Sequence, residues 1–270
     1  MELGVTHGAV SRQIRLLEEW LGPPALFRRM SHGVALTTAG QSLLAEIQPS
    51  LDRIARAAAL HGQSADGTVV LKVNALATFS LRWLVPKLGL LRQAHPEIEI
   101  QLTTGSEPVD ALAGDYDLII RGGPDVFHGF DARFLRAESR LPVCSPVLLR
   151  REPLTEVTDF ARYTLLHVAS MPRLWRDWLA KAGHGSLEPV ASLTLDHFYL
   201  SIQAAIDGLG VAMGPSTLVE DDLRAGRLVA PFPDITLPSR SYFAYTPEGS
   251  PLRATSDRIC AWIADYESND

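Results

Sequence analysis

Apolar residues recur at helical spacing near the start of the chain, at Val10, Ile14, Leu17 and Leu21. This spacing predicts an amphipathic helix, with Thr6 as its N-cap, that ends at the Gly22-Pro23 pair. Two short apolar runs then flank a turn at residues 31–33. We interpret these runs as the two strands of a β-wing.

A second apolar stripe follows Thr37, which we expect to cap a helix from about residue 38 to 62. Its members alternate at spacings of three and four residues: Leu44, Ile47, Leu51, Ile54 and Ala58. Such a stripe is typical of a coiled-coil-like dimer contact. Pro49 lies inside the stripe, and because the spacing stays in phase on both sides, a kink is expected there rather than an end. Residues 63–67 are interpreted as a linker.

From Thr68 onward, apolar strands alternate with amphipathic helices. The first strand is VVLKVNAL and the first helix SLRWLVPKLGLLRQA; IEIQLTT, a short helix near residues 110–113 and YDLIIRGG follow. This alternation predicts an α/β fold with parallel strands. The extended run RFLRAESRLPVCSP then leads toward a second lobe, in which strands and helices alternate again. RLVAPF is one of the predicted strands of that lobe. The strand SYFAYTP and a helix from about 251 to 266 return to the first lobe.

Composition narrows the class of protein. The chain has 46% hydrophobic and 21% charged residues, as ordinary globular proteins do. It contains no run near the ~18 apolar residues of a membrane helix and no signal-peptide pattern, so we expect a cytoplasmic protein without membrane contact. Cys144 and Cys260 show no metal or redox spacing, and we expect buried thiols, no metal and no cofactor.

The charge is uneven, and this bears on nucleic-acid binding. The net charge is -6, but residues 1–60 carry six arginines against five acidic residues. A DNA contact therefore belongs at the N-terminus. The candidates share polar or basic side chains on the first helix and the wing: Thr6, His7, Ser11, Arg12, Arg15, Arg28, Arg29 and His32. Solvated charges on an amphipathic helix are the alternative, and basic groups on the adjoining wing favour DNA contact.

Candidate ligand residues follow the ends of predicted strands. Thr78, Phe79 and Ser80 begin a helix after the first strand, and the free N–H groups of such a helix start suit anions. Thr78 or Ser80 could equally cap the helix. Arg121 and Gly122 lie at the carboxyl end of a strand, where open α/β sheets bind ligands, although structural ion pairing is an equal alternative for Arg121. Ser170 follows a strand of the second lobe.

Several motifs in the same order resemble the LysR family of bacterial transcriptional regulators: AVSRQIRLLEEWLG, LFRR, GVALTTAGQSLL, HPEIEI, YDLIIRGG, PVCSPVLL, AAIDGLGVAM and AGRLV. The segment WLVPKL resembles the glycine-cleavage-activator and β-lactamase-regulator branch of that family. The likeness runs almost from end to end. It implies promoter DNA as partner, a small-molecule effector and a homodimer or homotetramer.

The resemblance also implies domain boundaries. The expected parts are a winged helix-turn-helix (1–37), a linker and dimerisation helix (38–63), and a two-lobed effector domain like a periplasmic binding protein (64–270). Its first lobe is expected at about 64–143 and 240–270, and its second at about 144–239. Asp196, His197 and Phe198 would begin a cleft-facing helix in the second lobe, with capping or packing as the alternative for His197. Tyr245, on the returning strand, is a weaker candidate.

The chain departs from the family's pattern at its start. Members carry roughly twenty more residues before the position of Glu2, and these form the first helix and most of the second. The helix-turn-helix is therefore expected to be partial, with an exposed apolar face on the helix at 10–21 and weak, salt-sensitive DNA binding. A regulator that no longer binds DNA and acts only as a ligand-binding dimer is the alternative.

Two other classes of protein, enzymes and solute-binding proteins, fit the sequence less well than a transcriptional regulator does. GLGVAMG at 208–214 resembles a dinucleotide fingerprint, but here a helix precedes the glycines and a strand follows, the reverse of the required order. Hydrolase, metalloprotease and P-loop motifs are also missing from the sequence, so we do not expect an enzyme. A solute-binding protein of similar fold would need an export signal.

Overall fold

The computed structural model describes residues 7–30, 33–61 and 68–266, and they fall into two compact units that divide between residues 62 and 63. The predicted linker at 63–67 lies outside the described residues. The N-terminal unit contains two helices and a two-stranded sheet: α1 (His7–Leu21), β1 (Phe27–Met30), β2 (Gly33–Leu36) and α2 (Thr38–His61). The strands pair antiparallel, with Arg28 opposite Ala35, which confirms the wing.

The start of α2 is fixed by Thr37, as the sequence predicts. Thr37 Oγ1 accepts a hydrogen bond from the Gly40 N–H at 3.1 Å and donates to the Ala25 carbonyl at 2.7 Å. Gly40 is buried so close to the Leu26 carbonyl that a Cβ atom at this position would overlap it. The absence of a side chain at Gly40 therefore lets α2 pack directly on the segment before the wing.

Helix α2 continues through Pro49 to His61, so the proline does not end it. The apolar stripe lies open along this helix, with 44% of Leu44, 56% of Leu51 and 65% of Ile54 exposed. Helix α1 likewise leaves 38% of Val10 and of Leu17 exposed. Both apolar faces are therefore accessible in the isolated chain.

The C-terminal unit contains two five-stranded sheets. The first has the order β4-β3-β5-β12-β6 and consists of β3 (Val69–Ala75), β4 (Ile98–Thr104), β5 (Leu118–Gly123), β6 (Phe130–Arg136) and β12 (Ser241–Pro247). The second has the order β11-β7-β10-β8-β9 and consists of β7 (Ser139–Val143), β8 (Thr164–Val168), β9 (Ala191–Leu195), β10 (Val211–Pro215) and β11 (Leu237–Pro238). Four strands of each sheet run in the same direction, and the strand that arrives from the other lobe, β12 in the first sheet and β7 in the second, is antiparallel to its neighbours.

Helices connect these strands. They are α3 (Ala77–Phe79), a π-helical segment (Ser80–Leu84), α4 (Val85–Ala94), α5 (Pro146–Arg151), α6 (Leu174–Lys181), α7 (Phe198–Ile206), α8 (Ser216–Arg224) and α9 (Arg253–Asp265). The described residues also include two 3₁₀ segments, Asp110–Leu112 and Val157–Arg162. Together the strands and helices give the two-lobed α/β fold that the sequence predicts.

The first crossing between the lobes differs from the expected boundary after residue 143. The chain leaves the first sheet at Arg136 and enters the second at Ser139, so all of β7 belongs to the second lobe. The crossing residues Ala137 and Glu138 include no glycine or proline, so the extended run carries no local signal of the change. RLVAPF is also not a regular strand, since only Val229 forms an isolated bridge, with Cys144.

The core of each lobe is apolar. Phe160, Trp175 and Trp178 pack edge to face in the second lobe, with ring centroids 5.3 to 6.2 Å apart. Cys144 and Cys260 are buried free thiols, as expected, and burial raises the pKa of each to about 12. Among the helices that the structure describes, none has the length and apolar character needed to cross a membrane.

Candidate effector site and nucleic-acid interface

The basic residues of the N-terminal unit are accessible. Ser11, Arg12 and Arg15 are exposed on α1, and Arg28 is exposed on β1. Thr6 and His32 lie outside the described residues, and so do the side chains of His7 and Arg29. Of the candidate DNA-contacting residues, the described side chains are thus three arginines and one serine, and all four are exposed to solvent.

A half-buried carboxylate ties α1 to the wing. Glu18, on α1, accepts hydrogen bonds from the N–H groups of Leu26 and Phe27 at 2.8 and 3.0 Å on one carboxylate oxygen. Charge-assisted bonds to backbone donors are stronger than neutral ones. Glu18 therefore sets the direction of α1 relative to β1, a contact that the sequence analysis did not anticipate.

A cavity of about 500 Å³ lies between the two lobes of the C-terminal unit. It brings together six of the residues selected from sequence: Thr78, Phe79, Ser170, Asp196, His197 and Phe198. The first two come from the start of α3, and the others follow β8 or begin α7. The carboxyl ends of β3 and β8 meet across this space, so strand topology positions the candidates together.

Capping does not account for the polar residues at these helix starts. The N-cap of α3 is Leu76, and neither Thr78 nor Ser80 makes a side-chain cap. His197 is the N-cap of α7 by backbone position, but its imidazole makes no capping hydrogen bond and instead stacks on Tyr199, with ring centroids 5.2 Å apart. The hydroxyl of Thr78 and the imidazole of His197 are therefore placed at the cavity without a capping role.

Arg121 and Gly122 do not line the cavity. The Arg121 guanidinium donates to Asn74 Oδ1 at 2.5 Å and to the Glu107 and Ile120 carbonyls at 3.1 and 2.9 Å. Burial lowers the pKa of Arg121. The Gly122 carbonyl accepts a hydrogen bond from Arg240. Both residues serve the first lobe's own structure, and we leave them out of the effector site.

Ser80 and Tyr245 also lie away from the cavity. Ser80 is buried in the π-helical segment that follows Phe79, and its Oγ has no hydrogen-bond partner among the described residues. Tyr245 is fully buried beside Val109, and its hydroxyl accepts a hydrogen bond from the Asp125 N–H at 2.9 Å. Alternation along β12 turns this side chain away from the cleft, whereas Tyr242 lines it.

The cavity includes two large polar side chains that sequence reasoning missed, Arg140 and Tyr242. Arg140 lies on β7 just after the crossing, and Tyr242 lies on β12 just after the return. The Tyr242 ring packs on Phe79 with centroids 4.6 Å apart, and burial raises the pKa of its hydroxyl. No local motif marks either residue, because both reach the cavity only through the double crossing of the chain.

Two further depressions have volumes of about 660 and 530 Å³; the first lies along α9, and the second is lined mainly by β6 and α8. Both are open to solvent and contact Tyr266, and they contain none of the residues selected from sequence. Among the described residues, no group of three or more acidic, histidine or cysteine side chains could hold a metal ion.

Comparison with known proteins gives matches over both units. The bacterial regulatory helix-turn-helix family of LysR type matches residues 1–41, and the LysR substrate binding domain family matches residues 65–267. The glycine cleavage system transcriptional activator of Escherichia coli strain K12 is 37% identical over 244 residues, which cover 90% of this chain and 79% of that protein.

Solved structures match as well. The effector domain of the transcriptional regulator AmpR of Pseudomonas aeruginosa is 27% identical, with a TM-score of 0.59, over 72% of this chain and 93% of that domain. CrgA, a LysR-type transcriptional regulator from Neisseria meningitidis, is 21% identical with a TM-score of 0.57, over 97% of this chain and 89% of that chain. At this lower identity, CrgA supports the fold alone.

Proposed function

Because this chain belongs to the LysR family of transcriptional regulators, we propose that α1 and the wing contact promoter DNA and that a small molecule in the cavity between the lobes controls the output. The chain is a LysR-type transcriptional regulator, and its relatives are regulators rather than enzymes. Such regulators bind promoter DNA and effectors and act as oligomers. Since promoter DNA is the target, the proposed site of action is the cytoplasm.

The DNA contact is supported by the exposed arginines of the N-terminal unit. Arg12 and Arg15 project from one helix, and Arg28 lies on the strand that Glu18 ties to this helix. A helix suits the major groove, while basic groups beside it neutralise phosphates. We assign Arg12, Arg15 and Ser11 to the groove and Arg28 to the backbone.

Fluorescence anisotropy with the duplex upstream of the chain's own gene tests this assignment. Replacing Arg12 and Arg15 with alanine should weaken binding at least tenfold and flatten its salt dependence, because two phosphate or base contacts are lost. The matched control replaces Gln13 and Glu19, exposed on the same helix, with alanine. Equal loss in both double variants would refute the assignment.

The effector site rests on one observation, the convergence on a single cavity of six residues selected from sequence, three at strand ends and three implied by the family resemblance. Its volume suits a small organic molecule. The solved AmpR structure that the C-terminal unit resembles is an effector domain. Thr78 and Ser170 supply hydroxyls from opposite lobes, so a bound molecule can bridge them and alter the lobe arrangement.

A reporter fused to the target promoter tests control through the cavity. Across a panel of growth media, the wild type should vary in output, whereas Ser170→Trp, which fills the cavity, should give one fixed output. Ser192→Trp on β9, exposed and outside the cavity, is the control. A Ser170→Trp variant that still responds as the wild type does would place the effector elsewhere.

We also propose that α2 forms the contact of a homodimer. The exposed residues Leu44, Ile47, Leu51 and Ile54 form a continuous stripe on a 24-residue helix. Stripes at this spacing pair helices by burying their apolar seam. A tetramer would need a further contact between C-terminal units.

A further inference from the structure

The geometry points to Arg140 as the residue that holds the effector, through a carboxylate group on that molecule. This inference rests on the cavity being the effector site. It assigns the effector to a chemical class, a molecule with one carboxylate and an apolar body. It also identifies a binding residue that none of the sequence motifs marks. Three features support it: the donors of Arg140, the role of Glu138, and the charges around the cavity.

The Arg140 guanidinium lines the cavity with few of its donors used. Its side chain is only 9% exposed. Nη1 donates to the Ser139 carbonyl at a long 3.4 Å, and Nε has no partner among the described residues. The guanidinium carbon lies 4.8 Å from the centre of the Phe198 ring. A desolvated guanidinium with five N–H donors is unfavourable until acceptors reach it, and a carboxylate matches its fork with two.

Glu138 holds Arg140 in place without satisfying it. Glu138 Oε1 lies 3.5 Å from Arg140 Nη1. The same oxygen already accepts hydrogen bonds from the Ser139 N–H, Ser216 Oγ and the Thr217 N–H, at 3.0, 2.8 and 3.3 Å. Its charge is thus shared among at least four donors. Glu138 acts as a positioning residue, fixed at the crossing between the lobes, and it engages only Nη1 of a guanidinium that lines the cavity.

The rest of the cavity favours one negative charge. The helical stretch from Ala77 and helix α7 from Phe198 both begin at its wall without a side-chain cap, so free N–H groups face it from both lobes. Asp196, which is exposed, is the one acidic side chain among the described lining residues, and it disfavours a second negative charge. Val168, Met171 and Leu218 supply apolar surface for the body of the molecule.

Matched probes test the inference on the full chain. Phenylacetate is compared with phenylacetamide, and hexanoate with hexanamide, by isothermal titration and ligand-observed NMR. Each pair has nearly the same shape and differs in charge. The wild type should bind each carboxylate at least about tenfold more tightly than its amide, which corresponds to ~1.4 kcal/mol. Ser170→Trp should abolish binding of all four probes, which locates them in the cavity.

Four variants assign the preference to Arg140. Arg140→Gln should erase the preference for carboxylates, and Arg140→Lys, which keeps the charge but loses the fork, should retain part of it. Arg176→Gln, at an exposed arginine of α6, should behave as the wild type. Glu138→Gln should strengthen carboxylate binding severalfold, because a competing anion is removed. A merely structural role for Arg140 would not produce opposite effects at these two positions.

The outcomes separate this inference from the proposed function. An unchanged preference in Arg140→Gln, equal binding of amides and carboxylates by the wild type, or no carboxylate binding at about 10 mM each overturns the role of Arg140. If Arg140→Gln is too unstable to be measured, the Arg140→Lys variant decides the question. A carboxylate preference as large as that of the wild type in the folded Arg140→Lys variant would contradict a bidentate contact with the guanidinium. Carboxylate binding that persists in Ser170→Trp would instead refute the cavity as the effector site.

Discussion

The Arg82 guanidinium, on the π-helical segment of the first lobe, donates to the carboxylate of Asp222, on α8 of the second lobe. Asp222 is almost fully buried, and its other oxygen accepts from Arg227 Nε at 2.6 Å. A parallel pair joins Lys87 Nζ to Asp221 at 2.6 Å. Adjacent carboxylates of α8 thus connect the two lobes by charge.

We predict that Asp222→Ala lowers the free energy of unfolding of the chain by about 3 kcal/mol, because it leaves Arg82 partly buried without its partner. Replacing both Arg82 and Asp222 with methionine and leucine should cost much less, since no unpaired charge then remains at this pair. Urea unfolding followed by tryptophan fluorescence measures both. Asp234→Ala, at an exposed carboxylate of the same lobe, is the control. Equal losses in single and double variants would contradict the ion-pair explanation.

Gly40 and Gly89 should respond to alanine in opposite directions. A Cβ at Gly40 would overlap the Leu26 carbonyl, so Gly40→Ala should destabilise the N-terminal unit by at least about 2 kcal/mol. Gly89 lies on α4, where a Cβ would meet no atom within 4 Å, and alanine there should stabilise by roughly 0.5 to 1 kcal/mol through helix propensity. Thermal melting of the two variants checks the signs, and stabilisation by Gly40→Ala would refute the close approach.

The dimer contact predicts a change in particle size. Glutamate at both Leu51 and Ile54 would place charge in the apolar seam of α2, where desolvation is costly, so the oligomer should dissociate. Light scattering should report about half the wild-type mass. The control puts glutamate at Ser42 and Ala45, exposed on the other side of α2. If the first variant keeps the wild-type mass, the contact lies in the C-terminal unit.

Stability should fall as the pH drops below about 6.5, with His167 as one source. Burial lowers the pKa of His167 on β8, so between its folded and unfolded values the unfolded chain binds the extra proton. The stability contributed by neutral His167 is therefore fully present above the pKa of this residue in the unfolded chain. It is lost as the pH falls through the pKa in the folded chain. Urea midpoints from pH 8 to about 5 should decline less in His167→Gln than in the wild type. His128→Gln, at an exposed histidine, should decline as the wild type does.

The order of helices and strands could be predicted from sequence because local spacing determines it. The stripe of α2, the cap at Thr37 and the wing all depend on residues within a few positions of one another. Helix α8 was not predicted, because the preceding Gly214-Pro215 pair and the acidic run at 220–222 are also typical of a surface loop. That omission hid Asp221 and Asp222, which connect the lobes.

The sequence by itself determined the family and the fold class, and it pointed to six residues of the cavity. Thr78, Phe79 and Ser170 were selected because they follow strands that are visible in the pattern and parallel strands align their ends, whereas Asp196, His197 and Phe198 were implied by the family resemblance. Only the tertiary structure decided which side chains complete the site. Arg140 and Tyr242 enter through strands that cross between lobes, and Tyr245, three residues along β12 from Tyr242, faces the opposite side of the sheet. Strand alternation is local, but which face meets the cavity depends on sheet order, and sheet order arises from contacts between residues distant in the chain.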